Sequence, residues 1–270
     1  MDEHPRDPTH WFSDAYVDRM HQTIGPHACR KLAIYSLPPN FVLTVIVPVY
    51  NECGSIDEVL KRLRATGLPM QIVLVDDGSH DGSSALLRAH EHATDITLIT
   101  HEANRGKGAA IQSGIGHATG DVVVIQDADS EYDPDDFRVL LQPIIEDSAD
   151  IVYGTRYGHC DRQLSPWWHQ AVNGMITLLA SVTMGPRLSD VETCYKMARR
   201  EHFQAVASQL RESRFGIEIE LTARWARMNL RFTERPIRYR HRWYDEGKKI
   251  TWRDGIAAIG CVIRYGLLRR

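Results

Sequence analysis

From residue 41 to residue 153, short apolar runs rich in β-branched residues alternate with segments whose apolar residues recur at helical spacing. Residues 41–49, 71–75, 96–100, 122–126 and 151–153 read as strands, and 55–66, 82–93, 106–118 and 134–147 as helices. Such alternation makes βαβ units, and these join into a mostly parallel sheet with helices on its faces. The expected class is therefore α/β, Rossmann-like. Ser55-Ile-Asp-Glu58 has the form of a capping box opening the first of these helices, and Asp133-Pro134 that of a cap followed by Pro at the first helical position. Beyond residue 160 the pattern loosens into helices at 168–184, 199–211, 217–228 and 251–268, with one strand at 231–239. Residues 1–40, closed off by Pro38-Pro39, read as an irregular or partly helical extension.

Ligands of open parallel sheets bind beyond the carboxyl ends of the strands, so the residues at those ends matter most. The strand at 122–126 runs into Asp127-Ala-Asp129, with Glu131 two residues on. Carboxylates there suit Mg²⁺ or Mn²⁺, hard cations that take a few protein oxygens and complete their shell with substrate phosphates; they also suit a plain turn and helix cap. The first strand ends in Pro48-Val-Tyr-Asn-Glu52, an aromatic beside an acid, which suits either a flat base with its ribose or a turn. The second ends in Asp76-Asp-Gly-Ser-His-Asp81. Here Gly78 supplies the turn, Asp81 a helix cap, and Asp76 or Asp77 a hydrogen-bond acceptor for base or ribose. A glycine-rich loop with Lys107, Asn104-Arg-Gly-Lys-Gly108, opens the helix at 106–118. It either cradles phosphate at the helix N-terminus or lets the helix pack close to the sheet. It lacks the G-x-x-x-x-G-K-[ST] pattern of a P-loop.

Composition narrows the classes of partner. A net charge of −3 gives no electrostatic case for nucleic acid. Cys29, Cys53, Cys160, Cys194 and Cys261 are odd in number and scattered, which predicts neither a disulfide framework nor a zinc site and fits a reducing cytoplasm. The first residues lack the pattern of a signal peptide, and no apolar run approaches the roughly 18–20 residues of a membrane span.

Pro48-x-Tyr-Asn-Glu52, Asp76-Asp-Gly-Ser-x-Asp81, Asn104-x-Gly-x-Gly108 and Asp127-Ala-Asp129 together resemble, in order and spacing, the family 2 glycosyltransferases of the GT-A fold. The resemblance is to the dolichol-phosphate mannose synthase-like, polyprenyl-phosphate branch, and it covers about residues 41–250. It implies one GT-A domain over that span; the helix read at the end of the chain forms a separate C-terminal segment, 251–270. It implies that Pro48, Tyr50, Glu52 and Asp77 hold the nucleoside of a nucleotide-sugar (GDP-mannose or a UDP-sugar), and that Ala128 and Asp129 contact its ribose and phosphates. Asp127, Asp129 and Glu131 would bind the metal. Arg156, in Gly154-Thr-Arg156, would reach the acceptor phosphate, and Arg242 and Lys248 would close over the donor phosphates. A second acceptor arginine of that branch has no counterpart in 165–173, where His169 stands nearest. The blocks 190–196, 215–220 and 246–250 resemble a bacterial subgroup of the branch.

The implied reaction displaces a nucleoside diphosphate from the anomeric carbon with inversion, and the metal, Arg242 and Lys248 would stabilise the leaving charge. A polyprenyl phosphate acceptor is ionised already and needs no base. A soluble hydroxyl acceptor needs a carboxylate; Glu218 and Glu220 are the candidates, with Asp190 and Glu192 behind them. A third reading is a nucleotide-sugar-binding protein without catalysis. The final segment spaces Trp252, Ile256, Ile259, Ile263 and Leu267 helically, with Arg264, Arg269 and Arg270 nearby. It either packs on the core or makes peripheral contact with an anionic membrane surface.

Overall fold

The computed structural model describes residues 12–158, 167–241 and 252–268, with backbone alone at 167–169, 252–254 and 256. Its core is a seven-stranded sheet. In chain order the strands are β1 (Leu43–Val49), β2 (Met70–Asp76), β3 (Ile96–Thr100), β4 (Val122–Ile125), β5 (Ile151–Thr155), β6 (Lys196–Arg199) and β7 (Phe232–Pro236). They lie side by side as β3-β2-β1-β4-β6-β5-β7. All pairs are parallel except the two made by β6, which runs against both β4 and β5. The expected α/β class and mostly parallel sheet are borne out.

The apolar runs became strands because both faces of the sheet are covered. Val45, Ile46, Val47, Ile72, Val73, Val123 and Val124 are all fully buried. The layers over them come from α3 (Ile56–Ala65), α4 (Ser83–Ala89), α5 (Lys107–His117), α6 (Phe137–Ile145) and α8 (Arg200–Ala207). The N-terminal helices α1 (Asp14–Ile24) and α2 (Pro26–Lys31) lead into Ala33 and Tyr35, which join the main core, and the Tyr35 hydroxyl donates to the Arg138 carbonyl at 2.8 Å. A second, smaller core binds α7 (Trp167–Met184), α9 (Ile217–Ala226) and α10 (Trp252–Val262), the last running on as a π-helical turn over Ile263–Leu267.

Three local readings change. β6 lies in a stretch with no strand expected, and Arg199, expected to open a helix, ends that strand. Four residues flanked by a turn and a helix carry too short a period-2 signal to register. Ser55 caps no backbone N–H. Its hydroxyl sits instead between Glu52 Oε2, at 2.9 Å, and the Ala128 carbonyl, at 2.8 Å, so it ties two loops together. In the C-terminal helix the inward residues are Ala258, Cys261, Val262 and Tyr265, while Ile263 and Leu267 of the expected stripe are exposed. The Asp133 side chain does cap the turn that begins at Pro134.

Candidate active site

β2 and β4 flank β1, and the chain order reverses between them, which opens a crevice at their carboxyl ends. The loops after β1 and β4 meet there through the Ser55 bridge. Glu52, Asp127, Asp129 and Glu131 crowd this crevice. The crowding shows in Asp129, whose carboxyl is pushed well above the usual range, first by burial and then by the charges of Asp127, Glu131 and Glu52.

Repulsion of that kind is relieved by a cation, so the donor chemistry fits a hard dication. Among the described residues, however, no three His, Cys, Asp or Glu side chains converge into a ready cage. Asp127 faces Lys107, with Nζ 2.7 Å from Oδ1, and Glu131 Oε2 accepts from the Tyr239 hydroxyl at 2.8 Å. The arrangement suits a cation of the Mg²⁺ or Mn²⁺ kind that takes a couple of carboxylates here and the rest of its ligands from substrate phosphates.

Asp76 and Asp77 are buried and turned inward. Asp76 accepts from the Ser79 N–H at 3.0 Å and from the Ser84 hydroxyl. Asp77 accepts from the backbone N–H groups of Arg105, at 2.9 Å, and Gly106, at 2.7 Å, and lies 2.7 Å from His101 Nδ1. Both carboxylates therefore shape loops. At Gly78 (φ 71°) a Cβ would stand 2.6 Å from the Ala103 carbonyl carbon. At Gly106 and Gly108 a Cβ would collide with the backbone of Ser213 and Glu212. The loop packs closely at Gly106 and Gly108, but against residues 212–213 and not against the sheet.

Lys107, at the start of α5, joins the crevice to its floor. Its ammonium is 2.7 Å from Asp127 Oδ1 and 3.0 Å from Glu218 Oε1. Burial disfavours its charge, yet Asp127 above all outweighs this and holds its pKa well above the ordinary value. The other oxygen of Glu218 is 2.7 Å from Nζ of Lys196, which is fully buried and also donates to the Val191 and Thr193 carbonyls. Glu218, expected as a base, is thus clamped between two lysines. Glu220, the other expected base, is fully buried. It accepts from the N–H groups of Arg211 and Glu212, both at 2.8 Å, and pairs with Arg224 at 2.9 Å. With its oxygens so engaged it has no lone pair facing a substrate, and its role is corrected to holding the 211–212 loop.

On the far side of the crevice, Arg156 forks onto Asp190, with Nε 2.6 Å from Oδ2 and Nη2 2.7 Å from Oδ1. Burial pushes Asp190 up, but Arg156 and Asn173, whose amide donates at 3.1 Å, hold it below the ordinary carboxylate range. The guanidinium lies 5.3 Å from the centre of the Tyr239 ring, and Nη1 has no partner among the described residues. Glu192, in the same turn as Asp190, makes no hydrogen bond or ion pair among the described residues. Burial, reinforced by Asp190 and Glu218 and opposed by Arg156 and Lys196, pushes it up to about 7. Arg242 and Lys248 lie outside the described residues, as does the side chain of His169, which stands in the first turn of α7.

Sequence reasoning passed over Lys196, Asn173 and Tyr239. A lysine beginning a strand and a tyrosine in a basic run look like ordinary surface residues. Only full burial of the lysine and the bridge pairing Tyr239 with Tyr132 distinguish them.

A family model for glycosyl transferase family 2 matches residues 44–207. The chain belongs to that family. Among curated proteins, it resembles the undecaprenyl-phosphate 4-deoxy-4-formamido-L-arabinose transferase of Edwardsiella ictaluri (strain 93-146), 32% identical over 212 residues and 76% of this chain. The protein of the same name from Sodalis glossinidius (strain morsitans) is 33% identical over 166 residues and 59% of this chain. The chain spans 62% and 49% of the length of these two relatives. Of solved structures, it superposes on glucosyl-3-phosphoglycerate synthase from Mycobacterium tuberculosis, crystallised with Mn²⁺, UDP and phosphoglyceric acid. The TM-score is 0.63 at 17% identity, over 94% of this chain and 82% of that one. S. aureus TarS 1–349 in complex with UDP-GlcNAc gives a TM-score of 0.56 at 19% identity, over 84% and 67% of the two chains. Likeness at these identities is one of fold, and it places this family 2 chain among GT-A structures.

Proposed function

We propose that this family 2 chain is an inverting glycosyltransferase that moves a hexose from a nucleotide-sugar to a polyprenyl phosphate, working at the inner face of the membrane. The observation that carries the reading is the crowd of Glu52, Asp127, Asp129 and Glu131 at the switch point of the sheet, where their mutual repulsion calls for a dication and its diphosphate. Pro48, Tyr50 and Glu52 would flank the nucleoside. Mg²⁺ or Mn²⁺ held by Asp127 and Asp129 would neutralise charge on the leaving diphosphate. Lys107 holds Asp127 in place, and Arg242 and Lys248 would add positive charge from the donor side.

The acceptor phosphate would meet the open Nη1 edge of Arg156, a planar fork suited to phosphate. Asp190 keeps that fork oriented. The names of the curated relatives, both undecaprenyl-phosphate transferases, support this class of acceptor. Glu192 favours a second reading, a soluble acceptor attacking through a hydroxyl. A carboxyl poised at about 7, with no hydrogen bond or ion pair among the described residues, is what proton abstraction at neutral pH requires.

Calorimetry of GDP, UDP and their sugar conjugates, with Mn²⁺ or Mg²⁺ and with EDTA, tests the donor site. Selective, metal-dependent binding of one nucleotide supports it. A folded sample that binds none overturns it. Transfer of labelled sugar to polyprenyl phosphate against soluble acceptors then decides between the two readings.

A further inference from the structure

We propose that the outer face of α7 and the C-terminal helix is a docking surface for an anionic lipid bilayer. Residues 170–184 contain no charged side chain. One side of α7 is buried through Asn173, Ile176, Thr177 and Ala180. The other presents Val172, Met175, Leu178, Leu179 and Val182 to solvent, with Leu178 64% and Val182 76% exposed. A water-facing helix surface is ordinarily polar, and a contiguous apolar one marks an interface.

The C-terminal helix widens this face. A Cβ at Gly255 would stand 3.6 Å from Val172, and one at Gly266 would meet Thr183. The sequence offset is the same at both ends, so the two helices run parallel, side by side. Both rest on α9, where Ile176, Ala180, Ala258, Val262 and Tyr265 share a core with Ile219 and Ala223. Their opposite sides therefore both look away from α9, and there Ile263, Leu267 and Leu268 are exposed.

Charge selects the occupant. Neither 167–187 nor 255–270 contains a carboxylate. Exposed Arg187 follows α7, Arg264 is 58% exposed beside Glu212, and Arg269 and Arg270 come directly after Leu268 in the chain. An apolar face ending in arginines matches acyl chains below anionic headgroups, whereas a second copy of the same face would set these cations near one another. The helices lie on the bilayer and do not cross it. Each buries its inner side in protein, and no described helix is long and apolar enough to span. The helix that carries this face also carries Asn173, which on its buried side holds Asp190 beside Arg156. A polyprenyl phosphate bound at Arg156 would therefore sit close to α7, with its tail directed toward the bilayer that this face meets. That last point rests on the proposed function; the docking surface does not.

The test is flotation of the full chain with phosphatidylglycerol-containing vesicles and with pure phosphatidylcholine vesicles, alongside its mass in solution by light scattering. The wild type is expected to float with the anionic vesicles. Leu178→Gln/Val182→Gln should weaken this about tenfold, with nucleotide binding unchanged as the check on folding. Arg269→Gln/Arg270→Gln should weaken binding to anionic vesicles and reduce its salt dependence. A wild type that stays unbound, or variants that float as it does, would overturn the proposal. So would a dimeric wild type that the Leu178/Val182 variant renders monomeric, which would make the face a contact between copies. Flotation needs neither donor nor acceptor, so docking without transfer to polyprenyl phosphate would count against the proposed acceptor alone.

Discussion

Arg156 and Asp190 form a two-pronged ion pair on one side of the crevice, with contacts of 2.6 and 2.7 Å and the carboxylate fully buried. On the proposed reading, the pair would let one arginine serve an acceptor phosphate where the resemblance implies two. Its plane is set in advance by a partner that itself cannot move, because Asn173 and the Arg156 N–H hold the same carboxylate.

Asp190→Asn should therefore destabilise the fold by about 3 kcal/mol, since breaking one side of a buried pair leaves the other charge uncompensated. It should also cut transfer to a phosphate acceptor more than tenfold. Urea denaturation and steady-state kinetics check the two effects. Arg156→Lys should keep part of the stability and lose the rate, because an ammonium cannot fork.

Lys196 and Glu218 are a second buried pair, 2.7 Å apart. Lys196→Met should cost about 3 kcal/mol by leaving Glu218 with Lys107 alone. Adding Glu218→Gln should return part of that loss, because the neutral amide needs no counter-charge. Chemical denaturation of the two single variants and the double variant measures the coupling. A strictly additive double variant would exclude it.

The carboxylate crowd has the opposite sign. Asp129→Asn removes a negative charge from beside Asp127 and Glu131, and should leave stability unchanged or raise it. The same change should abolish any gain in nucleotide affinity on adding Mn²⁺. Thermal melting and calorimetry on one sample read both, and a loss of stability would mean that the carboxylate is structural.

Glu192 sets a pH dependence. Its carboxyl is raised from an ordinary 4.5 to about 7, by burial first. Between these values the unfolded chain has lost a proton that the folded chain keeps. Glu192 therefore opposes folding increasingly as pH rises through this window, and by a constant amount above it. Glu192→Gln should flatten that part of the stability profile, seen by denaturation at pH 5 and pH 8. On a hydroxyl acceptor, wild-type rate should rise with pH toward a plateau above about 7, and Glu192→Gln should abolish it. On a phosphate acceptor the variant should remain active.

The strands β1 to β5, the mostly parallel sheet and the acid-rich loops at the carboxyl ends of its strands were legible in the chain, because they depend on local pattern. Apolar runs of this length find burial only inside a covered sheet, and the βαβ rhythm leaves little choice of topology. What each acid does was not legible. Asp77 and Glu220 look on paper like Asp129 and Glu192, yet the first two hold loops through backbone N–H groups and the last two have raised proton affinity. The short strand β6, the burial of Lys196 and the outward turn of Ile263 depend on neighbours distant in the chain, such as Val124 across from Met197 and Glu218 against Lys196. Local sequence determined which elements form and where ligands approach. Only tertiary packing decided which charges pair, because an ion pair is set by distance in space and by exclusion of water, and neither is written in the order of residues.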